Sequence, residues 1–126
     1  MLRVLLILLS VLIAALYFAQ NSTGVFTPTF WNYNIDKGLP SNETYDIITD
    51  DDGKVWIATD NGLGCYDGYK MKTFRIEDGL VDNVVYTFFK DYKGRIWCFG
   101  ANHKLCYIEH GKIHAYAFND VIEKKY

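Results

Sequence analysis

Two textures divide the chain. From Val4 to Ala19 apolar residues run almost without a break, after the single basic Arg3. From Thr29 onward they come in short runs, each closed by turn residues. Thr29–Ile35 reads as a strand, and 36–42 as a loop. Thr44–Thr49 is a second strand, closed by the Asp-x-x-Gly turn of Asp50 to Gly53. Lys54–Thr59 follows, then a turn at Asp60-Asn61-Gly62, where Asn-Gly is a strong hairpin signal. Leu63–Tyr66 is turned by Asp67-Gly68, and Lys72–Ile76 completes the unit. A second unit runs Val84–Lys90, Arg95–Gly100, Lys104–Ile108 and Lys112–Phe118. No helical periodicity is visible after the leader.

The two units are copies. Trp97 minus Trp56 is a spacing of 41, and the same offset carries Gly38-Leu39 onto Gly79-Leu80 and Asn42 onto Asn83. It also carries Tyr45 onto Tyr86, Asp50 onto Asp91, Gly53 onto Gly94 and Cys65-Tyr66 onto Cys106-Tyr107; upstream it relates Tyr33 and Ile35 to Phe74 and Ile76. Repeats of about 40 residues belong to solenoids, propellers or arrays. Val55-Trp56-Ile57-Ala58 and Ile96-Trp97-Cys98-Phe99 are apolar on both alternating faces, so each strand is covered on both sides. A lone sheet cannot supply that cover, whereas sheets arranged radially can. The predicted class is therefore all-β: about two four-stranded antiparallel blades of an incomplete β-propeller, preceded by an apolar N-terminal helix. A β-sandwich accounts for the strands but not for the recurrence.

The expected organisation is a leader at 1–19, a linker at 20–29, blade 1 with a preceding strand at 30–78, blade 2 at 79–118 and the truncated start of another repeat at 119–126. A basic start, an apolar stretch and then Gln20-Asn21-Ser22-Thr23-Gly24 form the pattern of a secretory signal peptide, with cleavage expected after Ala19. The same run also fits an uncleaved membrane anchor, at the short end of the roughly 17–25 residues a span requires. Either way the remainder is expected to be exported. Propellers typically close with about 4–8 blades. The missing blades are expected from a longer protein or from assembly with other copies, a homodimer among them.

Composition narrows the chemistry. The formal charge is -2, which gives no long-range attraction for nucleic acid. Ten Tyr, eight Phe and three Trp suit strands packed face to face. Three Cys without a C-x-x-C pair argue against a metal cluster or a complete disulfide framework.

Gly38-Leu39-Pro40-Ser41-Asn42, then Asp50-x-x-Gly53-x-Val55-Trp56-Ile57-Ala58-Thr59-x-Asn61-Gly62-Leu63, then Tyr66-Asp67-Gly68 resemble the two-component regulator propeller repeat. In the second unit Gly94-x-Ile96-Trp97, Lys104-Leu105-Cys106-Tyr107 and Gly111-Lys112-Ile113-His114 are similar to the second repeat of propeller-type sensor kinases. The resemblance covers roughly Phe30 to Ile122. It implies a periplasmic sensor domain at the inner membrane, upstream of a membrane helix and a histidine kinase that lie outside these residues. It also implies a small-molecule or glycan ligand for the complete propeller. The alternative is a secreted or surface-bound propeller that binds or scaffolds without a kinase. His103-Lys104 stand where Gly62-Leu63 stand in the first copy, and Ile108-Glu109 replace Asp67-Gly68, so the second unit is expected to turn differently.

No residue is assigned to catalysis, to a cofactor or to a metal. Asp50-Asp51-Asp52-Gly53 opens like a calcium loop but lacks the closing acidic ligands, and its copy Asp91-Tyr92-Lys93-Gly94 has lost two carboxylates. What both copies keep is Asp, able to bond the turn backbone, and Gly, able to take positive φ. The repeat signature is thus Gly38, Leu39, Asn42, Asp50, Gly53 and Trp56, with Gly79, Leu80, Asn83, Asp91, Gly94 and Trp97. Trp56 and Trp97 are expected in the core. Tyr69, Tyr92 and the Asn42/Asn83 pair are better placed in loops for ligand contact. Cys98 and Cys106 flank one hairpin and could be bridged if directly opposite. His103, His110 and His114 share no ligand spacing. Asn21-Ser22-Thr23 and Asn42-Glu43-Thr44 match the glycosylation pattern by accident on the bacterial reading.

Overall fold

The computed structural model describes residues 1–20 and 27–125. Most of the expected linker, including the Asn21 sequon, lies outside the described residues. Two units are separate, Met1–Trp31 and Asn32–Tyr126. The first holds helix α1 (Leu2–Gln20). Among the described residues no helix is long and apolar enough to cross a membrane.

The second unit is built of two four-stranded antiparallel sheets, each with its strands in chain order. The first contains β1 (Thr44–Thr49), β2 (Val55–Thr59), β3 (Gly62–Tyr66) and β4 (Met71–Phe74). The second contains β5 (Val85–Lys90), β6 (Ile96–Gly100), β7 (Leu105–Glu109) and β8 (Lys112–Ala115). This is the architecture expected of propeller blades.

Three expectations are corrected. The strand expected at Thr29–Ile35 is absent: 27–34 is irregular and Ile35–Lys37 is a 3₁₀ turn. A strand exists only where its N–H and C=O groups find a ladder partner, and neither sheet has an edge there for it. β4 stops at Phe74 rather than Ile76, because Ile76–Asp78 forms the copy of that 3₁₀ turn. β8 likewise stops at Ala115, and helix α2 (Asn119–Glu123) follows.

The sheets pack with opposite sides in contact. Trp56, Ala58, Leu63 and Phe74 of the first share one buried cluster with Val85, Ile96, Cys98, Cys106 and Ile108 of the second. Trp56↔Cys65 and Ala58↔Leu63 are cross-strand partners, so these residues share one side of the first sheet. Ile96↔Ile108 and Cys98↔Cys106 share one side of the second. Trp97 and Phe99, in the same strand, turn to the other side. By the repeat, the side the second sheet buries corresponds to the side of Val55 and Ile57, which the first leaves uncovered. The contact is therefore head to tail.

The repeat itself changes step. Thr59↔Gly62 leaves two turn residues, Asp60 and Asn61, whereas Phe99 pairs with Leu105. One extra residue enters the β6–β7 turn, with His103 at φ 59°. Beyond it the structural offset is Leu105 minus Leu63, or 42, not 41. Cys106 thus occupies the place of Gly64 rather than Cys65, and a one-residue slip puts it on the opposite side of its sheet. β7 and β8 are joined by His110-Gly111, both left-handed (φ 49° and 71°), in place of the Asp67–Lys70 turn.

Candidate functional site

At one end of both sheets, each Asp-x-x-Gly turn is fastened to the tryptophan six residues later. Asp50 Oδ1 accepts from the N–H groups of Asp52 (3.0 Å) and Lys54 (2.9 Å), and Oδ2 from Trp56 Nε1 (2.9 Å). Asp91 Oδ1 accepts from Lys93 (2.9 Å) and Arg95 (3.1 Å), and Oδ2 from Trp97 Nε1 (2.9 Å). Gly53 and Gly94 close these turns at φ 80°. Arg95 adds a 2.7 Å ion pair to Asp91 and lies over the Trp97 ring. The Trp97 indole N–H, outweighing partial burial, and then Arg95 and the backbone donors hold the Asp91 carboxyl well below the usual carboxylate range. Both oxygens of Asp50 and of Asp91 are thus used by donors of the turn and its strand.

At the opposite end, Asn42 and Asn83 do the same task in each copy. Their Oδ1 atoms accept from Ile35 N (3.1 Å) and Ile76 N (3.2 Å), holding the 3₁₀ turns that Gly38 and Gly79 end. Leu39 and Leu80 follow, both buried. Asn42 and Asn83 thus hold the framework of both turns. Of the other loop candidates, Tyr69 (97 % exposed) and Tyr92 (92 % exposed) stand on the Asp-turn end, Tyr92 with Lys93 Nζ over its ring at 5.7 Å. There Asp51, bonded to Lys90 Nζ, and Asp52, bonded to Lys54 Nζ, border a 210 Å³ hollow with Lys93, Glu109 and His110.

A repeated aromatic pair sits on the first strand of each sheet. Register slips between Thr44 and Asp46, and between Val85 and Thr87, so Tyr45 and Tyr86 are the extra, bulged residues. Bulges re-aim side chains. The two rings come together 5.2 Å apart, both part exposed, and Tyr45 Oη bonds Glu43 at 2.7 Å. That hydrogen bond to a carboxylate pushes the Tyr45 phenol up to about 12. Their spacing was visible as part of the 41-residue offset, but a bulge leaves no mark in composition. Nearby, Asp46 ties the sheets, accepting from Thr87 Oγ1 and Phe88 N, both at 2.8 Å. Burial opposes its charge, yet these donors pull its carboxyl below the usual range.

The uncovered side of the first sheet forms a groove of about 490 Å³ along Leu39, Ile47, Val55, Ile57, Tyr66 and Met71. Cys98 and Cys106 are directly opposite, as a bridge would need, but are free thiols, as is Cys65. Burial pushes the Cys65 thiol up to about 11. His114 stacks on Tyr107 at 5.2 Å, and His103 and His110 occupy turns.

Compared with known families, residues 38–61 match the two component regulator propeller. The match spans the 3₁₀ end at Gly38, β1, the Asp50 turn and β2, which are the elements the second sheet repeats. It is a match to a propeller repeat and not to a catalytic domain. No curated protein matches the chain.

Proposed function

We propose that this chain is the N-terminal part of a periplasmic β-propeller sensor domain in a two-component signal-transduction system. The carrying observation is the two component regulator propeller repeat at residues 38–61, embedded in a pair of four-stranded sheets that repeat its turns. On this reading the leader 1–19 directs export or anchors the chain. The complete propeller binds a small-molecule or glycan ligand and passes a shift in its ring to a membrane helix and a histidine kinase. The bulged Tyr45 and Tyr86 are the ligand-contact residues, since they are the repeated, part-exposed aromatic rings that the packing does not consume.

Reading the transcript past the Tyr126 codon tests this. Further repeats at about 41-residue spacing, then a membrane helix and a kinase module, are expected. Repeats without a kinase would replace the sensor by a secreted binding propeller. In the sensor, Tyr45→Ala with Tyr86→Ala is expected to abolish the kinase response to periplasmic extract while leaving basal phosphorylation intact.

A further inference from the structure

We infer that Cys98 and Cys106 form a covalent modification site, a dithiol that a small-molecule disulfide oxidises to an intramolecular bridge when the first sheet parts from the second. The inference stands on geometry and holds whether or not the propeller is a sensor. First, the two residues are directly opposed partners of β6 and β7. Opposed residues of antiparallel strands have Cα atoms about 4.5–5.5 Å apart, inside the roughly 4.4–6.8 Å that a disulfide spans. The pair exists because of the residue added to the β6–β7 turn. At the corresponding place the first sheet has Ile57↔Gly64. Without the added residue, Cys106 would stand as Cys65 does, on the other side of its sheet.

Second, both thiols are shut in. Cys98 and Cys106 are each 1 % exposed, on the side of the second sheet that shares a buried cluster with Trp56, Leu63 and Phe74 of the first. A reagent reaches them once that cover lifts. Third, the pair is divided into an attacking and a resolving sulfur. The hydrogen bond between the thiols, against burial, and a further one from the Val81 N–H draw Cys106 below the ordinary thiol value. The same shared bond, together with burial, pushes Cys98 well up. Cys106 is therefore the first nucleophile. Cys65 lies opposite Trp56 and Lys72 and has no second thiol to close on.

The reaction is two successive exchanges. The Cys106 thiolate attacks one sulfur of the small disulfide, breaks its S–S bond and expels the other half as a thiolate. Cys98 loses its proton to that thiolate, attacks the Cys106 sulfur of the mixed disulfide and expels the second half, which takes up the proton first lost by Cys106. The two cysteines have then given up two electrons and two protons, and the reagent leaves reduced, as two thiols. The new bond ties β6 to β7 across their turn. A second sheet that has lost its neighbour thereby keeps its register.

The test uses the full chain carrying Cys65→Ala, folded in reductant and given glutathione disulfide once the reductant is removed. Intact mass, with alkylation after denaturation, reads which sulfurs have reacted. Bridging is expected to be slow in buffer and at least roughly tenfold faster in urea below the unfolding midpoint, because the rate follows the open population. The product is expected to be the bridge, with no glutathione retained. Asp46→Ala removes the two hydrogen bonds that Asp46 accepts from Thr87 and Phe88 across the sheets. It leaves the backbone ladders in place and is expected to speed bridging in buffer roughly tenfold. Thr87→Val removes one of the two bonds and is expected to give a smaller rise, which keeps the test open if Asp46→Ala fails to fold. Equal rates with and without urea overturn the inference, as does a product that keeps glutathione. So does a failure to bridge in urea, or bridging that neither variant speeds.

Discussion

Trp56 and Trp97 hold the same place in their sheets, yet only Trp56 is sealed, at 0 % exposure; Trp97 lies on the uncovered side of the second sheet and is part exposed. Replacing each by Ala, and by Phe, separates the two things a tryptophan does here. An aromatic side chain buries about 150–250 Å². At about 25 cal/mol per Å² this gives an upper bound near 4–6 kcal/mol for Trp56. Observed truncations of buried aromatics cost about 3–5 kcal/mol, and that is the expected loss for Trp56→Ala. Trp97→Ala forfeits contacts with Tyr107 (5.1 Å) and Tyr116 (5.4 Å) but no neighbouring sheet. Its expected loss is about 1–3 kcal/mol on the same scale. Phe keeps most of the apolar bulk and removes only the indole donor to Asp50 or Asp91, so the two Phe variants are expected to cost alike, about 1 kcal/mol each. The assay is urea unfolding followed by far-UV circular dichroism. With a slope of about 2 kcal/mol/M, the two Ala variants should differ by roughly 1 M in midpoint. Equal midpoints for Trp56→Ala and Trp97→Ala would refute the claim that the second sheet covers the first.

Gly62 combines φ 112° with a Cβ position 2.5 Å from Phe74 O, whereas Gly53 (φ 80°) has open space around it. Gly62→Ala is therefore expected to cost more than about 2 kcal/mol and Gly53→Ala about 1 kcal/mol, read from the same urea midpoints. Asp91 has its folded pKa depressed, so its contribution is present above the unfolded value near 4 and is lost as pH falls below it. The unfolding midpoint should drop below about pH 4 in the wild type and less steeply in Asp91→Asn; identical pH profiles would count against the Trp97 and Arg95 contacts. With Cys65, Cys98 and Cys106 all free, the denatured protein should label with three thiol equivalents without reductant, and a value of one would mean that Cys98 and Cys106 are bridged.

Strand number and order could be read from the chain because each sheet is a string of hairpins, in which turn chemistry and alternation lie close together. The Asp-x-x-Gly turns and the Asn61-Gly62 hairpin were of this kind. Register was harder. The coincidence of Cys65-Tyr66 with Cys106-Tyr107 at 41 pointed to equivalence, yet one added residue among Ala101, Asn102 and His103 moves every later position by one. Cys106 then faces Cys98 instead of sharing the side of Cys65. Alternation tells which residues share a side, not which side it is. The bonding of the repeated loop and strand residues was hidden in sequence for a related reason. Asn42 and Asn83 look like free loop amides until their Oδ1 atoms are seen on Ile35 and Ile76. Tyr45 and Tyr86 look like strand residues until the bulges set them out of register.

Two sheets in contact could also be a sandwich, and the sides left uncovered decide against it. A sandwich buries its two inner sides and turns polar residues outward. Here the outward side of the first sheet carries Ile47 (65 % exposed), Val55, Ile57, Tyr66 and Met71, and that of the second carries Trp97, Phe99, Leu105 and Tyr107. Those sides are as apolar as the pair already buried, and they are its repeat counterparts. A head-to-tail contact leaves one unused half at each end, and its repetition either closes a ring or extends without limit. Closure is the outcome that removes both apolar sides from water. The occupied half, Trp56 and Leu63 against Ile96 and Ile108, is the contact whose repetition would cover each open half.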